Sequence, residues 1–215
     1  MSLEAQDVSF RYPCGRELYR GLSLAVGPGE RVALTAPSGR GKTTLCRLLA
    51  GYLEPSVGRV LADGEPVRPV ARLRGEASPV QLLPQHPELA FDPRVRLGQS
   101  LGEVAGAGEA GTRARANELL GSFGVREEWL ARRPHELSGG ELMRLAMVRA
   151  LSVRPRYLIA DESTAMLDAV TQAELWHALM DLQERDGWGL VLVSHSPALV
   201  SRVATRTFLL ADAGK

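Results

Sequence analysis

Apolar and polar side chains alternate loosely over residues 3–11 and predict a strand. A second strand is expected over 22–26, closed by the turn Gly27-Pro28-Gly29. Residues 31–36 (RVALTA) are an apolar run that reads as a buried strand, and 44–51 carries helical apolar spacing. A turn, a strand and a hairpin follow over 55–64, then a short apolar strand over 80–83 that ends at Pro84-Gln85. From 86 to about 134 the period of two disappears, and helical spacing takes over at 97–105, 112–123 and 127–132. Within it, 102–111 (GEVAGAGEAG) is expected to be a flexible connector. Beyond lie a helix over 137–151, a buried strand over 157–160, a helix over 169–185 and a strand over 190–193. A short helix (197–202) and a last strand (207–210) complete the pattern. Strands alternating with helices predict a mainly parallel α/β sheet, and the middle reads as a helical insertion. The expectation is one domain over 1–215, with a helical subdomain at about 86–135.

Composition narrows the class. The chain has 215 residues and 45% hydrophobic content, ordinary for a globular protein. Its 26 basic and 25 acidic residues leave a net charge of +1, so no nucleic-acid partner is expected, although a local basic patch is not excluded. No stretch approaches the ~20 apolar residues of a membrane span, and the N-terminal MSLEAQDVSF lacks an export leader. A cytoplasmic location is expected. Cys14 and Cys46 are isolated and read as free thiols, with a metal site or a disulfide as the alternatives.

Lys42 is one of only two lysines, against 24 arginines. It sits in Ala36-Pro37-Ser38-Gly39-Arg40-Gly41-Lys42-Thr43-Thr44, which has P-loop spacing except that Ala36 replaces the first glycine. Gly39 and Gly41 allow the backbone to bend until successive N–H groups converge on phosphate oxygens. The helix that follows points its positive end at the same anion. Lys42 supplies a slim point charge where a broad guanidinium would not fit, and Thr43 a hydroxyl for Mg²⁺. Ala36 is tolerable there only at negative φ. Farther on, an apolar strand ends in Asp161-Glu162, and carboxylates at that end of a strand face the ligand crevice of an α/β sheet. Asp161 suits a Mg²⁺ contact and Glu162 suits polarising a water.

These two elements fit many nucleotide-handling proteins, small kinases included. Leu137-Ser138-Gly139-Gly140-Glu141 lies between the helical middle and the acidic strand. Together with the order P-loop, Gln85, LSGG, acidic strand and His195, it makes the chain resemble the nucleotide-binding domains of ABC ATPases over nearly its whole length. The resemblance implies a P-loop, RecA-like core with an antiparallel β subdomain and an inserted α-helical subdomain. It implies ATP and Mg²⁺. Tyr12 matches the residue that stacks on adenine, although a half-buried strand tyrosine would read the same way. Gln85 matches the glutamine that touches Mg²⁺ or the water, with Gln81 as its rival inside the apolar run. Ser138, Gly139 and Gly140 match the signature that contacts the γ-phosphate held by a second subunit, Asp168 the aspartate of the D-loop, and His195 the histidine that senses the γ-phosphate.

Four further positions depart from the family pattern: Ser163 stands where proline is usual, Ala165-Met166 where Ser-Ala is usual, and Glu141 where glutamine is commoner. Pro84-Gln85-His86-Pro87 and Phe91-Asp92-Pro93-Arg94 resemble the dipeptide and nickel importer branch. The resemblance implies a homodimer or a paired sister ATPase, a separate integral membrane permease, and a peripheral position on the inner face of the membrane. A soluble ABC ATPase of a non-transport enzyme complex, such as one of phosphonate breakdown, is the alternative.

Overall fold

The computed structural model describes residues 1–13, 15, 17–73, 76–107 and 112–210, with backbone alone at 104–107. Two sheets organise them. In the first, β1 (Leu3–Arg11) pairs antiparallel with β2 (Glu17–Val26) on one side and β4 (Val57–Ala62) on the other, and β5 (Glu65–Pro66) extends β4. Leu3, Ala5, Val8 and Phe10 of β1 are buried, the half-buried pattern expected of a two-faced strand. β2 begins five residues earlier than the sequence predicts, at Glu17 instead of residue 22, and buries Tyr19.

The second sheet is parallel, in the order β6 (Val80–Leu83), β7 (Tyr157–Asp161), β8 (Gly189–Val193), β3 (Arg31–Thr35), β9 (Arg206–Leu209). Every residue of β7 and β8 is buried, as strands covered on both faces require. One core joins the antiparallel sheet to α1 (Lys42–Leu49) and the near face of the parallel sheet. The other lies beneath α4 (Gly139–Ser152) and α5 (Ala169–Asp186), and reaches into α2 (Leu97–Ala107) and α3 (Thr112–Ser122). A short α6 (Pro197–Val203) precedes β9.

Between β6 and α4 all regular elements among the described residues are helical. Two differ from expectation. Residues Glu127–Ala131 form a 3₁₀ turn rather than an α-helix, and a second such turn, Pro134–Glu136, follows at once. Helix α2 continues to Ala107, through the first part of the expected connector, whose residues 108–111 lie outside the described residues. Leu97 and Leu101 are buried, and that burial outweighs the cost of about 1 kcal/mol for each helical glycine. Cys46 is a free, buried thiol, whereas Cys14 lies outside the described residues. No helix among the described residues is long and apolar enough to cross a membrane.

Register positions the chemistry. Ala160 pairs with Leu83 on one side and Leu192 on the other, and Val193 pairs with both Asp161 and Leu34. The carboxyl ends of β6, β7, β8 and β3 are therefore level. The segments leaving them carry Gln85, Asp161-Glu162, His195 and residues 36–44, in that spatial order.

Candidate active site

The loop after β3 is open. Pro37, Ser38, Gly39 and Arg40 are exposed, and α1 starts at Lys42 after Gly41 takes φ 90°. Gly39 also lies in the left-handed region, at φ 76°, so two glycines supply the bends that a side chain would resist. Ala36 is not among the positive-φ residues, which meets the condition its substitution for glycine imposes. Lys42 is buried, and its Nζ donates to the carbonyls of Ala36 at 3.0 Å and Pro37 at 3.5 Å. The ammonium is thus folded back across its own loop. Tyr12 is 38% exposed and shares a hydrogen bond of 3.2 Å with the Thr44 hydroxyl, beside the same helix start.

Sequence reasoning missed Tyr19. Its buried hydroxyl donates to the carbonyl of Gly41, and a Cβ added at Gly41 would meet that hydroxyl. Burial pushes the Tyr19 phenol well above its ordinary pKa, so it stays a donor. The bond ties the loop to the antiparallel sheet. The sequence pattern leaves Tyr19 ahead of the strand expected over 22–26, and nothing local marks it.

Asp161 is buried at the end of β7, and one of its oxygens, Oδ1, has no hydrogen-bond partner. Burial raises its pKa, and the adjacent Thr43 hydroxyl acts against that shift. Glu162 follows in the left-handed region at φ 49°, a conformation that costs a non-glycine residue about 1 kcal/mol or more. Its amide donates to the Val193 carbonyl at 3.1 Å, and its carbonyl accepts from Ala165 at 3.0 Å, which hold this turn. The Glu162 carboxylate meets His195 Nε2 at 2.8 Å. Ser163 is buried with an unpartnered hydroxyl, whereas Thr164 Oγ accepts from Trp176 Nε1 and Gln172 Nε2, each at 2.9 Å.

The structure therefore brings Thr43 to Asp161 and Glu162 to His195, with the loop of Lys42 on the strand next to β8. Gln85 is half-buried, two residues past the end of β6, while Gln81 lies within that strand and donates to the Ser78 carbonyl. The orphaned Asp161 oxygen and the Thr43 hydroxyl are hard donors that suit Mg²⁺, and Gln85 offers an amide oxygen after the neighbouring strand. No group of three or more His, Cys, Asp or Glu that could hold a metal occurs among the described residues.

Ser138, Gly139, Gly140 and Asp168 form a second cluster, at the starts of α4 and α5. A Cβ at Gly140 would lie 3.4 Å from the Thr171 methyl, so the two starts adjoin. Ser138 caps α4 and Asp168 caps α5, accepting from Val170 at 3.1 Å and Thr171 at 3.0 Å. Those N–H groups hold the Asp168 carboxyl below its ordinary pKa. Met166 and Val170, which flank Asp168 in the chain, are both 68% exposed.

Residues 19–165 match the ABC transporter family. The chain is 35% identical over 195 residues to the probable peptide ABC transporter ATP-binding protein y4tS of Sinorhizobium fredii, covering 88% of this chain but only 55% of that one. It is 35% identical over 225 residues to the nickel import ATP-binding protein NikE of Pseudomonas putida, covering 97% and 81%. Among solved structures it resembles the ATP-binding cassette MJ0796, a dimer in a post-hydrolysis state with ADP and phosphate bound. That likeness has a TM-score of 0.82 and 25% identity, over 98% of this chain and 95% of the cassette.

Proposed function

Because the chain belongs to the ABC transporter family of ATP-binding, ATP-hydrolysing proteins, we propose that it is the ATPase subunit of an importer of the dipeptide and nickel kind. One observation carries this reading. Four strand ends at a single sheet edge lead into the loop of Lys42, the pair Asp161-Glu162, His195 and Gln85, while Ser138, Gly139 and Gly140 lie at the start of α4. One chain thus holds two half-sites. Two ATPase subunits, copies of this chain or this chain with a sister, close head to tail around two ATP.

Within that pair the amides of residues 38–43 bind the phosphates, Tyr12 stacks on the adenine and Lys42 turns from the loop carbonyls to the β/γ-phosphates. Thr43, Asp161 and Gln85 would hold Mg²⁺, which when bound would supply positive charge to offset that of the phosphates. Glu162 leaves His195 and orients a water for in-line attack, while His195 turns to the γ-phosphate. Ser138, Gly139 and Gly140 of the other subunit cap that phosphate, and Asp168 borders the shared face. Residues 86–135 form the helical subdomain of a single domain, and it moves with Gln85. That motion is transmitted to a separate integral membrane permease, which places the chain on the inner face of the membrane.

The test is size-exclusion chromatography of Glu162→Gln. ATP is expected to convert it to a dimer that hydrolyses about a thousandfold more slowly than the parent. A monomer that still turns over at the parent rate contradicts the assignment. Co-purification with an integral membrane protein supports transport, whereas co-purification only with soluble enzymes favours a non-transport complex.

A further inference from the structure

The signature serine is already engaged. Ser138 Oγ donates to Glu141 Oε2 at 2.9 Å, and the Ser138 amide donates to the same oxygen at 2.8 Å. In return the Glu141 amide points at Ser138 Oγ at 3.4 Å. These bonds hold the Glu141 carboxyl below its usual range, helped by Arg132 and Arg126, so it is ionised at neutral pH. A hydroxyl has one proton to donate. Here it goes to a carboxylate, and an ionised phosphate cannot supply one in exchange. The same carboxylate sits in the first turn of α4, where it offsets the helix's positive end, the part that would attract an incoming anion.

We infer that Glu141 restrains closure of the two-subunit site, by holding the Ser138 hydroxyl and by opposing the phosphate charge that the other subunit delivers. The inference rests on the reading above that Ser138 caps ATP in trans. Glu141 is a positioning residue, since it acts through Ser138 and the helix end. Glutamine at this position keeps the reciprocal cap, because a neutral amide oxygen serves that motif equally well. It removes the charge and holds the hydroxyl less strongly.

The test compares Glu141→Gln with its parent, both carrying Glu162→Gln, by sedimentation equilibrium with ATP and Mg²⁺. The variant is expected to pair about tenfold more tightly. The gain should shrink as salt rises toward ~1 M, where charges screen within a few ångströms. ATP binding by the isolated subunit, read by titrating a fluorescent ATP analogue at high dilution, should not change. Equal or weaker pairing, or a gain indifferent to salt, overturns the inference and leaves Glu141 a helix cap alone. If the parent shows no ATP-dependent pairing, the two-subunit site falls and takes this inference with it.

Discussion

The edge of the parallel sheet and the starts of α4 and α5 treat their polar groups in opposite ways. At the sheet edge Asp161 and Ser163 each bury an oxygen without a partner, and Glu162 is held in left-handed backbone. At the helix starts Ser138, Glu141 and Asp168 satisfy the free N–H groups with their own oxygens, close to solvent. The first region carries costs that the proposed cation and phosphate would relieve. In the second, Ser138, Glu141 and Asp168 are already bonded, and the Ser138 hydroxyl must surrender its bond to Glu141 before it can donate to an anion. Substitutions should therefore separate the two: changes at the edge alter chemistry and ligand-free stability together, whereas changes at the helix starts alter pairing.

The largest contrast is in turnover. Glu162→Gln should lower steady-state phosphate release by about a thousandfold, the scale of a lost general base. Residual hydrolysis within tenfold of the parent would place the base elsewhere.

The glycines sharpen the contrast in stability. Gly41→Ala must hold φ 90° and press its Cβ on the Tyr19 hydroxyl, for a loss of about 3 kcal/mol in urea unfolding and of ATP binding. Gly139→Ala lies at the start of α4 with nothing within 4 Å, and the isolated subunit should unfold within about 0.5 kcal/mol of the parent. Equal losses from both would erase the distinction.

Asp161→Asn should stabilise the nucleotide-free chain while abolishing hydrolysis. Burial raises the folded pKa of Asp161 above its unfolded value. Its charge therefore opposes folding at any pH above the folded pKa, and that penalty vanishes below the unfolded one. Thermal melts should show Asp161→Asn higher by about 2–4 °C at neutral pH, with the gain fading as pH falls through the folded value. A lower melting temperature would mean that the carboxylate is held by bonds its geometry does not show.

Effects at the helix starts are also small. Asp168→Ala removes the cap of α5 and should cost about 1 kcal/mol in urea unfolding. A cost above about 3 kcal/mol would make that start as critical as the phosphate loop.

Much of this was legible from local pattern. Apolar runs marked β3, β7 and β8, and the glycine spacing around Lys42 marked the loop, because each depends on residues adjacent in the chain. Contacts across the chain were not. Tyr19 reaches Gly41 from another sheet, and Glu162 meets His195 from a neighbouring strand. The 3₁₀ turn of Glu127–Ala131 was misread because five residues cannot show whether a helical period continues, and Pro134 soon follows. Helix α2 runs two residues past the expected end at 105 despite its glycines, with Leu97 and Leu101 buried.

Complementation tests the shared site most directly. Lys42→Ala lacks one half-site and Ser138→Arg the other, so each alone should be inactive. Mixed, they should recover activity toward about a quarter of the parent rate, the share of intact sites after random pairing. Mixtures as inactive as either variant alone, from chains that still fold and associate, would show that no site is built from two subunits.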